Sequence, residues 1–219
     1  MKRMLPIIFI INTSLFIISL AIFIPIVFRP FYYYHINALD LPQKTGYTYN
    51  EIKESYDDVL DYCLLNKEFK TGILRYSSDG FNHFKDCKIL FIVDSVIFIL
   101  SIIILLVKKK YCKEIKFLNH NISYWSGILL LGTFLIILII TIFIGFDKIF
   151  DIFHNIFFFG KENWLFDPEK DEIIKILPQR FFMNCGILII SIISVISIIL
   201  IIKEKIDILK RKNNSFFLS

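Results

Sequence analysis

The stretch ILFIVDSVIFILSIIILLVKKK, from Ile89 to Lys110, decides the fold of this chain. Its first nineteen residues contain one ionisable side chain, Asp94. A helix of that length, at a rise of about 1.5 Å per residue, crosses roughly 30 Å of hydrocarbon. Three lysines follow at once. The stretch therefore predicts a membrane-spanning helix that ends at a polar boundary.

Three further apolar runs predict three more spanning helices. The four predicted spans cover approximately residues 5–28, 89–107, 127–146 and 183–202. Hydrophobic residues make up 56% of the chain, which is typical of an integral membrane protein. The first run follows Lys2 and Arg3 but is longer than a signal-peptide core and lacks a small-x-small cleavage site. We therefore expect it to be a retained helix.

The basic residues predict the orientation of these spans. Both termini and the loop at 108–126 together carry twelve basic and three acidic residues. The loops at 29–88 and 147–182 carry eight basic against nine acidic and five basic against seven acidic residues. The positive-inside rule then places both termini and the 108–126 loop in the cytoplasm. The basic segments are short and juxtamembrane, so no nucleic-acid partner is expected.

The predicted fold is all-α, a four-transmembrane-helix bundle with a helical extracellular cap that forms one membrane domain over residues 1–219. Function is expected on the two longer outer loops. The first of these contains YNEIKESYDDVLDYCL, whose apolar residues recur close to every 3.6 positions and predict an amphipathic helix. The four cysteines show no paired spacing, so neither a disulfide framework nor a CxxC metal site is indicated, although a Cys63 to Cys87 bridge stays open.

Two of the four histidines lie at predicted membrane junctions. In SSDGFNHFKD, residues 77–86, Ser78 or Asp79 is expected to cap a helix that runs unbroken into the second span and carries His83 on the same face as Asp86 and Asp94. An ionisable residue as deep as Asp94 should face the interior of the bundle or water.

The sequence of the second outer loop also predicts a helix with ionisable residues on one face. Continuing the third helix past Gly145 places Asp147, Asp151 and His154 on one face. The following FDPEKDEIIKILP is typical of a short helix with Asp167 as its N-cap and the next proline at its first position.

His83 and His154 allow three interpretations from spacing alone. They are two satisfied interfacial histidines, an acid–base pair with an ordinary pKa near 6.5, or zinc ligands together with Asp86 or Asp151. No HExxH motif is present, which disfavours the metal site. His35 and His120 are expected to have structural roles.

The order of these features resembles the lipoprotein intramolecular transacylase family, Lit, of Gram-positive bacteria. The similarity covers essentially the whole chain. Its specific part is two segments, SSDGFNHFKDCKILF before the second span and FDKIFDIFHNIFFFGKENWLFDPEKDEIIKILPQRFF before the fourth. Cys87 departs from the family pattern, in which a valine-like residue is expected.

The resemblance implies an enzyme that needs no cofactor and no metal. A diacylglyceryl-modified lipoprotein would transfer the acyl chain from its glyceryl sn-2 ester to the α-amine of its own N-terminal cysteine, which gives the lyso form. The enzyme would be a monomer in the bacterial plasma membrane, in contact with membrane lipids, and its active site would lie at the extracellular face.

The resemblance also implies roles for individual residues. His83 and His154 are expected to be the catalytic pair, and Asp86 and Asp151 to orient their imidazoles. The residues expected to shape the floor of the site and the acyl entrance are Trp164, Asp167 and Arg180, with Phe157 to Phe159 along an acyl groove or in an aromatic belt. Two alternatives stay open: a non-enzymatic scaffold that binds a partner, and a phospholipid acyltransferase or hydrolase.

Overall fold

The computed structural model describes residues 4–111 and 115–216, and within them the chain forms nine α-helices and one short hairpin. The elements in chain order are α1 Met4–Val27, α2 Pro30–Ala38, α3 Leu41–Thr45, α4 Tyr49–Leu65, α5 Ser78–Tyr111, β1 Lys116–Phe117, β2 His120–Asn121, α6 Ile122–Ile144, α7 Phe146–Phe157, α8 Ile173–Ile176 and α9 Gln179–Phe216.

Four of the helices, α1, α5, α6 and α9, are long and apolar enough to cross a membrane. The predicted spans 89–107 and 183–202 lie entirely within α5 and α9, whereas α1 ends one residue before the end of the first predicted span and α6 two residues before the end of the third. The all-α class and the number of spans are confirmed. Large apolar side chains on them are exposed, for example 60% for Leu106 and 83% for Phe143. Such faces are stable in lipid and not in water.

The β1–β2 hairpin was not predicted. Lys116 pairs with Asn121 and Phe117 with His120, and the turn between them holds Leu118 and Asn119 at positive φ. Asparagine tolerates this conformation better than most residues. The hairpin is fixed to α6 by the Trp125 indole, which donates to the Phe117 carbonyl at 2.7 Å.

By their contacts, the residues fall into two compact units. The span unit comprises residues 1–23, 96–140 and 187–219, and the loop unit comprises residues 24–95 and 141–186. In the span unit, Asn12 donates to the Ser101 carbonyl at 3.2 Å, and Ser126 donates to the Ile10 carbonyl at 3.1 Å. Polar side chains that bond to the backbone of a neighbouring helix are a common means of helix association in membranes.

The loop unit has its own aromatic and aliphatic core, in which α2, α4 and α8 meet. Tyr32 of α2 is fully buried, stacks on Tyr56 of α4 at 3.7 Å between ring centroids, and donates to the Ile176 carbonyl of α8 at 2.7 Å. The predicted amphipathic helix is confirmed as α4, which begins with a capping box formed by Thr48 and Glu51.

The third spanning helix does not continue past Gly145, so that prediction was wrong. Helix α6 ends at Ile144, and Gly145 has φ 86° before α7 begins. Glycine reaches positive φ without the steric cost of a side chain, so the chain changes direction here. The three residues predicted to share one helix face, Asp147, Asp151 and His154, still do so, because all of them follow the break and belong to α7.

The helix predicted to start at Asp167 was also wrong in its extent, because α8 covers only Ile173–Ile176. Asp167 instead closes a turn: its carboxylate accepts the Glu169 amide at 3.0 Å, and its carbonyl accepts the amides of Lys170 and Asp171. An Asx turn competes with helix formation, since the side chain binds backbone donors locally.

Candidate functional site

The site begins where α5 starts, and the start is fixed by a buried carboxylate. The cap is Ser77, one residue earlier than predicted, and its hydroxyl accepts the Gly80 amide at 3.1 Å. Asp171, only 3% exposed, accepts both the amide and the hydroxyl of Ser77 at 2.8 Å. A Cβ on Gly80 would overlap the same carboxylate. These contacts therefore fix the first turn of α5, the helix that carries His83, relative to Asp171 in the segment before α9.

Three further contacts fix the segment that precedes Ser77. The Glu172 carboxylate accepts the Arg75 amide at 3.0 Å and the Arg75 guanidinium at 2.9 Å, and the Glu172 amide donates to the Arg75 carbonyl. The guanidinium contact, followed by the backbone hydrogen bond, lowers the pKa of Glu172 to about 2. Two adjacent acids of the segment between α7 and α9 thus anchor the start of α5.

His83 and His154 lie beside each other in the loop unit. Their ring centroids are 6.0 Å apart with an interplanar angle of 24°. Both rings are buried, 7% and 8% exposed respectively. One comes from the first turns of α5 and the other from the last turn of α7, so residues 71 positions apart in sequence form one cluster.

The His154 imidazole has a defined tautomer. Its Nδ1 lies 2.8 Å from the Phe150 carbonyl, which can only accept, so Nδ1 carries the hydrogen. Nε2 is then a lone-pair acceptor. Burial lowers the pKa of His154 from its ordinary value near 6.5, and the Phe150 carbonyl and the Asp151 charge oppose that shift. The ring is therefore neutral at pH 7 and able to accept a proton.

The His83 imidazole has one partnered and one unpartnered nitrogen. Its Nε2 lies 3.4 Å from the Cys87 sulfur, one helical turn further along α5. Its Nδ1 is buried and, within the described residues, has no hydrogen-bond partner. A buried polar atom without a partner is costly, and such atoms concentrate where a substrate supplies the missing bond.

Aromatic rings cover the histidine pair. Phe158 lies 4.8 Å from His83 and 5.5 Å from His154 between centroids, Phe166 lies 5.2 Å from His83, and Trp164 lies 4.8 Å from His154. Trp164 thus packs against a ring of the pair, as a residue of the site's wall would. Phe158 is buried, whereas the neighbouring Phe157 and Phe159 are exposed.

The segment that carries these rings is tied to α5 by Asp86. The Asp86 carboxylate accepts Lys161 Nζ at 2.6 Å and Asn163 Nδ2 at 3.0 Å. The hydrogen-bond partners of Asp86 are therefore two residues of the loop between α7 and α8, and its expected role in orienting an imidazole stays a prediction. Asp151 lies exposed on α7 and acts on His154 through its charge.

The remaining predicted site residues lie further from the pair. Asp167 is exposed in the turn described above, and Arg180 is exposed at the start of α9. His35 is structural: its Nδ1 bonds the Phe31 carbonyl at 2.7 Å and its Nε2 faces Asn184 Nδ2 at 2.9 Å. His120 stacks on Tyr124, with 4.4 Å between ring centroids.

Cysteine and metal chemistry can also be placed. Cys63, Cys87 and Cys185 are free thiols, and Cys112 lies outside the described residues. No group of three or more His, Cys, Asp or Glu residues within 4–111 and 115–216 is arranged to hold a metal ion.

Sequence reasoning missed three contributors to this site. Cys87 stood four residues after His83, a helical neighbour position, and that spacing was a usable signal. Asp171 and Lys161 carried no such signal, since their partners are 94 and 75 residues away.

Comparison with known proteins gives this geometry a context. The family model described as lipoprotein intramolecular transacylase Lit matches residues 7–182. Among curated protein sequences, none matches the chain significantly.

Solved structures match over almost the full length. The in meso structure of the membrane integral lipoprotein intramolecular transacylase Lit from Bacillus cereus has a TM-score of 0.82 at 28% identity, covering 97% of this chain and 98% of that one. The same protein with a histidine-to-arginine mutation gives a TM-score of 0.78 at 28% identity, covering 98% and 95%. With a histidine-to-alanine mutation it gives 0.74 at 28% identity, covering 97% and 96%. The chain therefore belongs to the lipoprotein intramolecular transacylase family, Lit, and is an acyltransferase of multi-pass membrane architecture.

Proposed function

We propose that this chain moves the sn-2 O-acyl chain of a diacylglyceryl-modified lipoprotein to the α-amine of the same N-terminal cysteine. A new amide C–N bond forms, the ester C–O bond breaks, and one proton passes from the amine to the glyceryl oxygen. Amine and ester belong to one molecule, so no co-reactant is needed. The single observation that carries the proposal is the buried pair of imidazoles, whose ring centroids are 6.0 Å apart, in a chain of this family.

We assign the base to His154. Its hydrogen is held on Nδ1 by the Phe150 carbonyl, which leaves Nε2 free to accept a proton from the α-ammonium. That ammonium has an ordinary pKa near 8 and is mostly charged at neutral pH, so it must lose a proton before it attacks.

We assign the donor to His83. A Cys87 thiol that donates to Nε2 places the imidazole hydrogen on Nδ1, the buried nitrogen that has no other partner among the described residues. Nδ1–H then donates a hydrogen bond to the oxyanion or to the departing glyceryl oxygen. The first proton that His154 takes from the α-ammonium passes to solvent, and the second, taken from the attacking amine, passes to the glyceryl oxygen. Proton transfer and oxyanion contacts of this kind each contribute about 10² to 10⁴ in rate.

The supporting residues act around the pair. Asp86 holds the loop that carries Trp164 over the rings, and Asp151 adjusts the basicity of His154 through its charge. Asp167 and Arg180 shape the exposed approach to the site. Because both histidines come from one chain, the site is complete in a monomer.

Both termini lie in the cytoplasm and the active site faces outward, as the distribution of basic residues indicates. A green fluorescent protein fused to the C-terminus should fluoresce, and alkaline phosphatase fused there should be inactive. The reverse pattern would place the termini outside.

The reaction is tested by mass spectrometry of the N-terminal lipopeptide from a model lipoprotein made together with wild type, His83→Ala or His154→Ala. Wild type should convert the diacylglyceryl form into its isobaric N-acyl, monoacylglyceryl isomer, which fragmentation distinguishes. Both variants should leave the substrate unconverted at equal expression. Well-expressed wild type that produces no N-acyl form would refute this reaction, and conversion by both variants would refute the role of the pair.

A further inference from the structure

A groove lined by basic residues lies in the span unit, where α5 ends, α6 begins and α9 passes. Its cavity has a volume of about 380 Å³. The charged side chains that line it are Lys108, Lys109, Lys203, Arg211, Glu204 and Asp207. Among the described residues that line the groove, four positive charges against two negative ones favour an anionic ligand.

The acid at the base of the groove is already occupied. Glu204 is 2% exposed, and its carboxylate accepts the Asn121 amide at 3.1 Å together with the Asn121 side-chain amide. This contact holds the β1–β2 hairpin against α9. The Glu204 carboxylate thus forms part of the wall of the groove, and Asp207 is the second acid among the described residues that line it.

The folded hairpin makes the groove a preformed site rather than a run of loose basic residues. Asn121 bonds Glu204, and Trp125 bonds Phe117, so both ends of the hairpin are fixed. On α9, Lys203, Asp207 and Arg211 recur every four residues and share one face.

The position of the groove relative to the membrane favours a lipid headgroup as its ligand. Lys108 and Lys109 follow directly after the apolar run of α5, and Lys203 follows directly after that of α9. Cations at the ends of spanning helices lie at the level of lipid headgroups. A cavity of this volume holds a phosphate with part of a headgroup, while the acyl chains remain in the bilayer.

We propose that this groove binds the phosphate group of an anionic membrane phospholipid. The proposal is independent of the transacylase site, since every residue that lines the groove belongs to the span unit.

The test is native mass spectrometry of the full-length protein in detergent, titrated with phosphatidylglycerol or phosphatidylcholine of identical acyl chains. Wild type should bind phosphatidylglycerol more tightly. The variant Lys203→Gln/Arg211→Gln should lose about fivefold in affinity for each cation removed. The variant Lys205→Gln/Lys210→Gln removes the same charge from the same helix outside the groove, and it should bind like wild type.

Three outcomes would overturn the proposal. Equal binding of the two lipids would show that headgroup charge is not recognised. An equal loss in the two double variants would show attraction to general surface charge. Displacement of phosphatidylglycerol by inorganic phosphate at equal concentration would assign the groove to soluble phosphate compounds instead of a lipid. Monodisperse elution of both variants excludes misfolding as the cause of any loss.

Discussion

His35 on α2 and the pair His83 and His154 are buried to a similar degree, yet the hydrogen bonds of their ring nitrogens differ. His35 is 5% exposed, and both of its ring nitrogens face partners, the Phe31 carbonyl and the Asn184 side chain. His83 keeps Nδ1 buried without a partner among the described residues, and His154 keeps Nε2 as an acceptor. Burial alone therefore does not distinguish His35 from the pair, whereas the hydrogen-bond partners of the ring nitrogens do.

Replacing each histidine by glutamine tests this comparison most directly. His83→Gln and His154→Gln should each slow N-acylation by about 10² to 10⁴, since glutamine cannot exchange a proton near neutral pH. The double variant should be about as slow as either single variant, because the two rings act as a unit.

His35→Gln is the matched control for both variants. It should keep the rate within a few-fold, since glutamine supplies a donor and an acceptor at a structural position. Rates are measured from the fraction of N-acylated lipopeptide against time. If His35→Gln greatly lowers the N-acylation rate at unchanged thermal stability, the proposed difference between His35 and the histidine pair is contradicted.

Gly80→Ala tests whether the position of α5 matters to the pair. The added methyl overlaps the Asp171 carboxylate, so either Asp171 or the first turn of α5 must move. We expect a loss of about 1 to 3 kcal/mol in the free energy of unfolding, with reduced activity. The control is Gly186→Ala on α9, where the new Cβ meets open space and should be neutral or stabilising by up to about 1 kcal/mol. Equal melting temperatures for the two variants would contradict the tight contact.

Glu172→Gln tests the other anchor through its pH dependence. The folded pKa of about 2 lies below the ordinary value, so the Glu172 carboxylate stabilises the fold above pH 4.5. That stability is lost as the pH falls from 4.5 toward 2. The variant should therefore melt a few degrees below wild type at pH 7, with a gap that narrows in acid. Glu169→Gln, on an exposed neighbour, should show no gap at either pH, and a constant gap for Glu172→Gln would contradict the linkage.

The smallest expected effect concerns Asp151, whose charge raises the pKa of His154 against the effect of burial. The acid limb of the N-acylation rate in wild type should lie below pH 6.5, since the rate requires neutral His154. Asp151→Asn removes the charge that raises the pKa of His154, so the acid limb should move slightly to lower pH. Asp147→Asn, one turn earlier on α7, should leave it in place. A shift to higher pH would contradict the assigned sign.

His154 also contributes to stability with a defined sign. Its pKa is lower in the folded chain, so the neutral ring stabilises the fold above pH 6.5, and this contribution is lost as the pH falls toward the lowered value.

The sequence predicted those parts of the molecule that depend on local periodicity. The run from Ile89 to Val107 is apolar apart from Asp94, Ser95 and Ser101, so its span followed from composition. His83 and His154 could be selected because both lie at membrane junctions on helices whose other residues indicate a face.

Features that depend on distant partners were not predictable in this way. From the sequence alone, Gly145 is equally compatible with the interior of a helix and with a helix break, and its positive φ distinguishes the two. Asp167 was assigned to a helix because its own turn chemistry was not weighed against helix capping. Asp86 was matched with its nearest histidine in sequence, whereas its actual partner, Lys161, lies 75 residues away.

The anchors at Ser77 and Arg75 have a consequence for the synthesis of the protein. Their partners, Asp171 and Glu172, are 94 and 97 residues further along the chain. Closing loops of this length carries an entropic cost that only the completed contacts offset. A nascent chain that ends before residue 171 already contains both histidines and the Asp86 contacts with Lys161 and Asn163, but it lacks the two carboxylates that fix the first turn of α5. We therefore expect the final position of His83 to be set late in synthesis, when the chain has reached the start of its last spanning helix.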